Sequence, residues 1–238
     1  MSEARGPVRI ALVGATGLVG RHVIEVASAG EEARIVGIAR REAPLPPGAR
    51  MEMFVAQPAK WGEVLEAVRP RALICALGTT WKKAGRDEAA FRSVDHDLVL
   101  ATAEAAKRAG VPNMVMISAA GADARGKSVY FRVKGETEDA LSRIGFKRLD
   151  ILRPGLLRGE RSNDRRIGER IGILAAPLID PLLSGSWERF RSIEAGLVAE
   201  AALGLAMRRA GGRFTHDNDA MRRAAREWRR IGDMEPAA

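Results

Sequence analysis

Tyr130 is the only tyrosine in the chain, and Lys134 follows four residues later. On a helix that spacing brings both side chains to one face. A phenol beside a lysine ammonium gives up its proton more readily and can exchange it with a substrate carbonyl or alcohol. Lys134 can also bind the ribose hydroxyls of a nicotinamide nucleotide. Ser118 closes an apolar run (NMVMIS, 113–118). There it would hold a substrate oxygen and stabilise the negative charge developing on it. A tyrosine and a lysine four apart are common by chance, so the set needs a second signal.

That signal lies near the N-terminus. The run VRIALV (8–13) leads into Gly14-Ala15-Thr16-Gly17-Leu18-Val19-Gly20. Gly14 permits a tight turn, Gly17 lets backbone approach a pyrophosphate, and Gly20 lets the following helix pack close to the strand. The helix start offers free N–H groups and partial positive charge to a phosphate. A strand before the turn and a helix after it are the context that gives such a pattern weight. Enzymes that prefer NAD usually place an acidic residue at the end of the second strand. Here that position reads Ala39-Arg40-Arg41. A guanidinium fits a 2′-phosphate and cannot accept from a ribose hydroxyl, so the expectation is NADP(H). Glu42 is adjacent and would serve the ribose if the turn were shifted.

The elements that must position these groups follow from the alternation of short apolar runs with helix-like segments. Strands are expected at 8–13, 34–39, 51–56, 72–77, 113–118 and 149–153. Helices are expected at 18–29, 61–68, 87–109 and 129–144. This alternation means a parallel sheet covered by helices on both faces. Continuous apolar strands fit a sheet buried on both sides. The fold class is therefore α/β, a three-layer doubly wound parallel sheet of Rossmann type with a small C-terminal helical elaboration. Past Pro154 the pattern loosens. A helix is expected at 194–209, a short strand at 213–216 and a basic helix at 218–230. One domain spanning 1–238 is expected, with 155–238 supplying substrate-side and C-terminal elements.

Composition narrows the function classes. The chain has 238 residues, 46% hydrophobic and 29% charged, which is ordinary globular usage. Its net charge of +9 favours anionic partners without choosing among them. The single cysteine, Cys75, excludes an internal disulfide and a multi-cysteine zinc site. The three histidines share no metal-like spacing, so no metal is expected. No stretch has the roughly 20 apolar residues needed to span a bilayer, and the N-terminus lacks a signal-peptide core. A cytoplasmic location is the expectation. Arg158, Arg161, Arg165 and Arg166 follow the sixth strand and would suit an anionic substrate if they faced the crevice. A solvated basic loop is the plainer reading of them. The stretch 171–183 reads as a helix covering the site or as a membrane- or partner-facing patch, with burial against the domain the plainer reading. Arg222, Arg223, Arg226, Arg229 and Arg230 mark the last helix, but no groove-reading motif or aromatic platform accompanies them. A solvated helix face is preferred there over a nucleic-acid surface. The Ala-rich helices at 87–109 and 129–144 leave monomer and homodimer both open.

The glycine turn together with Tyr130 and Lys134 resembles the short-chain dehydrogenase/reductase superfamily, with the GxxGxxG spacing of its extended and atypical branches. Further segments resemble the Tat-interacting-protein family of atypical members. These are LGTT (77–80) with KAG (83–85), FRSVDHD (91–97), SAAGAD (118–123), YFRVKGE (130–136) and RPG (153–155). The likeness runs from about Arg9 to His216. It implies that Gly14, Ala15, Thr16, Gly17, Leu18 and Val19 line the pyrophosphate and that Arg40 and Arg41 meet the adenosine 2′-phosphate. It implies that Leu77, Gly78 and Thr79 lie along the cofactor and that Pro154, Gly155 and Leu156 border the nicotinamide. Ser118, Tyr130 and Lys134 would form the catalytic set. Two departures stand out. Val55-Ala56-Gln57 lacks the acidic residue that relatives often carry near the adenine. The catalytic asparagine of many dehydrogenases has no clear counterpart in 87–109. The reading is an NADP(H)-dependent oxidoreductase acting on a small carbonyl or alcohol. The alternative is a non-catalytic NADP(H)-binding regulatory or assembly protein.

Overall fold

A computed structural model describes residues 6–42, 45, 48–49, 51–159, 185 and 190–233. Seven strands build its central sheet: β1 (Val8–Val13), β2 (Ala33–Ala39), β3 (Met51–Val55), β4 (Ala72–Cys75), β5 (Asn113–Ile117), β6 (Arg148–Leu152) and β9 (Gly212–His216). All are parallel, in the order β3-β2-β1-β4-β5-β6-β9. A separate short parallel pair joins β7 (Leu157–Arg158) to β8 (Ile193–Glu194). The chain winds outward one way through β1, β2 and β3, then returns beside β1 with β4 and winds the other way. The strand order reverses between β1 and β4, and sheets of this kind bind ligands outside the carboxyl ends of the strands at that point.

The continuous apolar runs become strands because both faces are covered. Ile10 and Leu12 of β1 point into one layer with Ile74, Val115 and Leu152. Ala11 and Val13 point into the other with Leu73, Met114 and Ile151. The first layer is closed by α1 (Leu18–Ser28), α6 (Ala195–Ala206) and α7 (Asn218–Asp233). The second is closed by α2 (Trp61–Val68), α4 (Leu98–Arg108) and α5 (Val129–Ile144).

Two expectations change in detail. The helix expected at 87–109 is interrupted. Asp87 caps α3 (Glu88–Arg92) by accepting the Ala90 N–H at 2.6 Å, and a π-helical turn at Ser93–Asp97 precedes α4. That wide turn carries Asp95 into the interior, where it is fully buried. The fourth strand ends at Cys75 rather than Leu77. The Ala76 N–H still reaches the Val13 carbonyl at 2.9 Å, and the chain then swings toward Asp95. Outward from α3 and α5, Arg92 pairs with Glu136 at 2.5 Å and Arg132 with Glu88 at 3.0 Å. Arg161, Arg165, Arg166 and the stretch 171–183 lie outside the described residues.

Candidate functional site

Gly14 leaves β1 with φ +87°. A methyl group there would stand 2.3 Å from the Ala76 carbonyl oxygen and 2.7 Å from the Leu77 nitrogen. The exits of β1 and β4 therefore touch backbone to backbone. A methyl group on Gly20 would stand 2.2 Å from the Gly14 carbonyl oxygen, so only glycine lets α1 lie this close to the turn. Gly17 precedes α1 in an extended conformation, with no side-chain cap and no acidic residue in the first helical turn. The N–H groups at this end are thus left for an outside acceptor. Ala15 and Val19 are buried beneath the turn, Gly14, Gly17 and Leu18 are half-buried, and Thr16 is exposed above it. Unclaimed N–H groups at a helix start beside a close-packed glycine turn are the kind of donor set that takes an anionic group. Arg40, Arg41 and Glu42 all lie exposed just past β2.

Beyond β4, Leu77 and Thr79 are half-buried and Gly78 is exposed. The Thr79 N–H donates to Asp95 Oδ2 at 2.7 Å. On the other side of this loop stands α5, with Tyr130 in its first turn and Lys134 one turn later. Lys134 Nζ lies 2.7 Å from Asp95 Oδ1, and both side chains are almost wholly buried. A methyl group on Gly78 would stand 3.7 Å from that ammonium, which places Lys134 directly beside the loop. Burial alone would favour the neutral amine. The Asp95 charge and the nearby Tyr130 outweigh it, and Lys134 stays above the ordinary lysine value. The Tyr130 ring leans on Phe91 and Phe131, with centroids 5.4 and 5.2 Å away.

Ser118 sits at the end of β5 as expected, but its hydroxyl donates to Glu138 Oε1. Glu138 in turn accepts from Arg153 Nε at 3.0 Å and from the Arg153 Nη2 group. The structure therefore brings Tyr130 and Lys134 together and ties Ser118 into a buried hydrogen-bonded set with Glu138 and Arg153. Pro154 is buried, and its carbonyl accepts from the Ala120 N–H at 2.8 Å. The Gly155 N–H donates to Asn218 Oδ1 at 3.1 Å, and Leu156 is exposed. Arg153 also lines a cavity of about 530 Å³ with Ala120–Asp123, Thr215 and Asp217.

Asp95 and Glu138 escaped sequence reasoning, although each leaves a mark. Asp95 falls four residues from Phe91 and four from Val99, on a helix face that is otherwise apolar. Glu138 continues the series 130, 134, 138 along one side of α5. A charged residue on a buried stripe needs a partner, and here each has one.

With this geometry in hand, the sequence pattern of the NAD(P)H-binding family matches residues 14–173. The chain belongs to that family. It is 40% identical over 163 residues to the mitochondrial protein fmp52 of Emericella nidulans, covering 66% of this chain and 70% of that one. It is 31% identical over 204 residues to the mitochondrial FMP52 of Candida albicans, covering 83% and 87%. Among solved structures it is similar to MoeE5 in complex with UDP-glucuronic acid and NAD. That match has TM-score 0.67 and 16% identity, and it covers 87% of this chain and 75% of that one. The UDP-glucose 4-epimerase of Thermus thermophilus in complex with NAD matches with TM-score 0.65 and 20% identity, covering 96% and 85%. The chain is thus a member of the NAD(P)H-binding family with a Rossmann-type fold, the fold it shares with these NAD-bound structures.

Two expectations are corrected. The preference for NADP(H) does not stand, because these solved members of the fold and others like them hold NAD. The physical weakness lay in the arginines. Both are exposed at the end of β2, where an Arg-Arg pair is equally a solvated surface, and Glu42 is exposed beside them. The cytoplasmic location does not stand either, since the fungal relatives are mitochondrial proteins. No helix of the described residues is long and apolar enough to cross a membrane.

Proposed function

We propose that the protein is an NAD(H)-dependent oxidoreductase of the atypical short-chain dehydrogenase type, acting on a small carbonyl or alcohol. One observation carries the reading. Tyr130 and a buried, charged Lys134 stand one helical turn apart, directly across the β4 exit from a glycine turn shaped for a dinucleotide. Gly14 to Val19 would hold the pyrophosphate, with Leu77, Gly78 and Thr79 along the cofactor and Pro154, Gly155 and Leu156 beside the nicotinamide. Glu42, three residues past the end of β2, would accept from a ribose hydroxyl. Bound NADH supplies a hydride to the carbonyl carbon. Tyr130 gives its hydroxyl proton to the carbonyl oxygen, and in the reverse direction takes it back. Lys134 steadies the nicotinamide ribose. Ser118 would stand at the end of β5 with its hydroxyl engaged by Glu138, which leaves Tyr130 as the group proposed to transfer the proton.

The engagement of Ser118 with Glu138 also favours a second reading, a cofactor-binding protein that performs no chemistry. One experiment separates the two. NADH is titrated against wild type and Tyr130→Phe, and both are then screened for NADH oxidation with small aldehydes and ketones. The enzyme reading expects equal NADH affinity in the two proteins, with turnover in wild type alone. Binding without turnover of any carbonyl supports the second reading. Undiminished turnover in Tyr130→Phe removes Tyr130 from the chemistry.

A further inference from the structure

Asp95 is fully buried and sits in the only π-helical turn among the described residues. Such turns are rare and concentrate at functional sites. Its carboxylate oxygens and its carbonyl each engage an element of the candidate site. Oδ2 accepts the Thr79 N–H of the β4 exit at 2.7 Å. Oδ1 faces the Lys134 ammonium of α5 at 2.7 Å. The Thr137 hydroxyl of α5 lies 3.0 Å from the Asp95 carbonyl and 2.7 Å from the Val133 carbonyl of its own helix, so its single proton is shared between them. One carboxylate therefore clamps the loop along which the cofactor is proposed to lie to the helix that carries Tyr130 and Lys134. Gly78 leaves the space this requires, since a methyl group there would press to 3.3 Å from Oδ1.

An ammonium on a four-carbon stem has many rotamers and donates in several directions. A fixed carboxylate at 2.7 Å holds the ammonium in place through its opposite charge. A neutral side chain would not do the same, because the attraction between buried opposite charges is lost with the charge. We infer that Asp95 is a positioning residue, whose carboxylate holds the Lys134 ammonium at the β4 exit so that Lys134 meets the nicotinamide ribose of NAD(H). This rests on the function proposed above and adds a residue to it. Asp95 acts through Lys134 and touches neither substrate nor the reacting atoms.

The test is a double-mutant cycle read as NADH affinity, with thermal unfolding of each protein followed alongside. Asp95→Asn keeps an acceptor for Thr79 and removes the charge. It should weaken NADH binding about tenfold, the size of one charge-assisted hydrogen bond lost. Lys134→Met should weaken it at least as much. Adding Asp95→Asn to Lys134→Met should then cost nothing further, since the residue it acts through is gone. A merely structural Asp95 gives a different pattern, and either form of it overturns the proposal. In one, Asp95→Asn lowers the melting temperature and leaves NADH affinity unchanged. In the other, it weakens binding by the same factor in both backgrounds. Nitrogen NMR of labelled wild type covers the case in which Asp95→Asn does not fold. The Lys134 ammonium resonance should be protected from exchange and shift when NADH is added, and a resonance indifferent to NADH overturns the proposal. Wild type that binds no NADH ends the functional reading itself. Wild type that binds while Asp95→Asn binds equally ends only the role of Asp95.

Discussion

A lysine charge inside a protein persists only because something opposite faces it. For Lys134 that partner is Asp95, and removing either half leaves the other charge buried alone. Asp95→Ala should therefore destabilise the fold by about 3–5 kcal/mol in denaturant unfolding. The pH dependence has a defined sign. The folded Lys134 sits above its ordinary value of 10.5. Its stabilisation is fully present below that value and is lost as pH rises through the higher folded one. The stability difference between wild type and Lys134→Met should stay flat from neutral pH to about 10 and shrink only beyond it. Cys75 provides a second residue-level test. Burial at the end of β4 pushes its thiol up to about 12. Iodoacetamide should leave it unlabelled in the native protein and modify it once the chain is unfolded, as read by mass spectrometry. Tyr130 and Lys134 were legible in the sequence because their relation is local, four residues on one helix. Ser118 and Glu138 are 20 residues apart and meet only when α5 packs on β5, a contact that no spacing rule encodes. Asp95 was passed over because an acidic residue in a helix ordinarily faces water.

At the scale of elements, the glycine turn is a contact between backbones. Gly20→Ala would place a methyl group 2.2 Å from the Gly14 carbonyl oxygen, and neither backbone can give way without moving α1 off β1. The variant should lose about 1–3 kcal/mol of stability. It should also lose most of its NADH affinity, because the helix start shifts from the phosphate. A fluorescence titration beside a melting curve reads both. Unchanged binding would place the phosphate elsewhere. The six strands expected as far as Pro154 were legible within about two residues, since fully buried parallel strands leave unbroken apolar runs. The break in the helix expected at 87–109 was not. A π turn has no composition of its own, and FRSVDHD reads as ordinary helix until packing draws Asp95 inward. The end of β4 was overrun by two residues for a related reason. Ala76 and Leu77 are apolar enough to continue a strand, but their backbone turns away to meet Gly14 and Asp95.

At the scale of the whole molecule, the +9 charge raises the question of where the excess lies and whether it acts. The densest run of arginines lies on α7, where five arginines stand against three acidic residues and leave +2 of it; Met221, Ala224, Ala225 and Trp228 are buried against α6 while Arg223, Arg226, Arg229 and Arg230 face outward. Arg229 is tied to Glu200 of α6 at 2.7 Å. The Trp228 Cβ meets the space above Gly204, which a methyl group there would close to 3.4 Å. In this layer α6 also packs on α1, so α7 buttresses the helix that begins at the glycine turn. The two faces of α7 should therefore separate in experiment. Trp228→Ala should cost about 3–5 kcal/mol and lower the melting temperature of the whole sheet, because α6 and α1 share its layer. Arg223→Gln, Arg226→Gln and Arg230→Gln should each stay within about 0.5 kcal/mol of wild type and leave NADH affinity unchanged. If the arginine face served nucleic acid, wild type would hold duplex DNA with a steep salt dependence that these three substitutions flatten. A solvated face predicts retention too weak to survive physiological salt in either protein. The charge would then act on solubility and on attraction of the anionic cofactor from a distance, and not through a second binding surface.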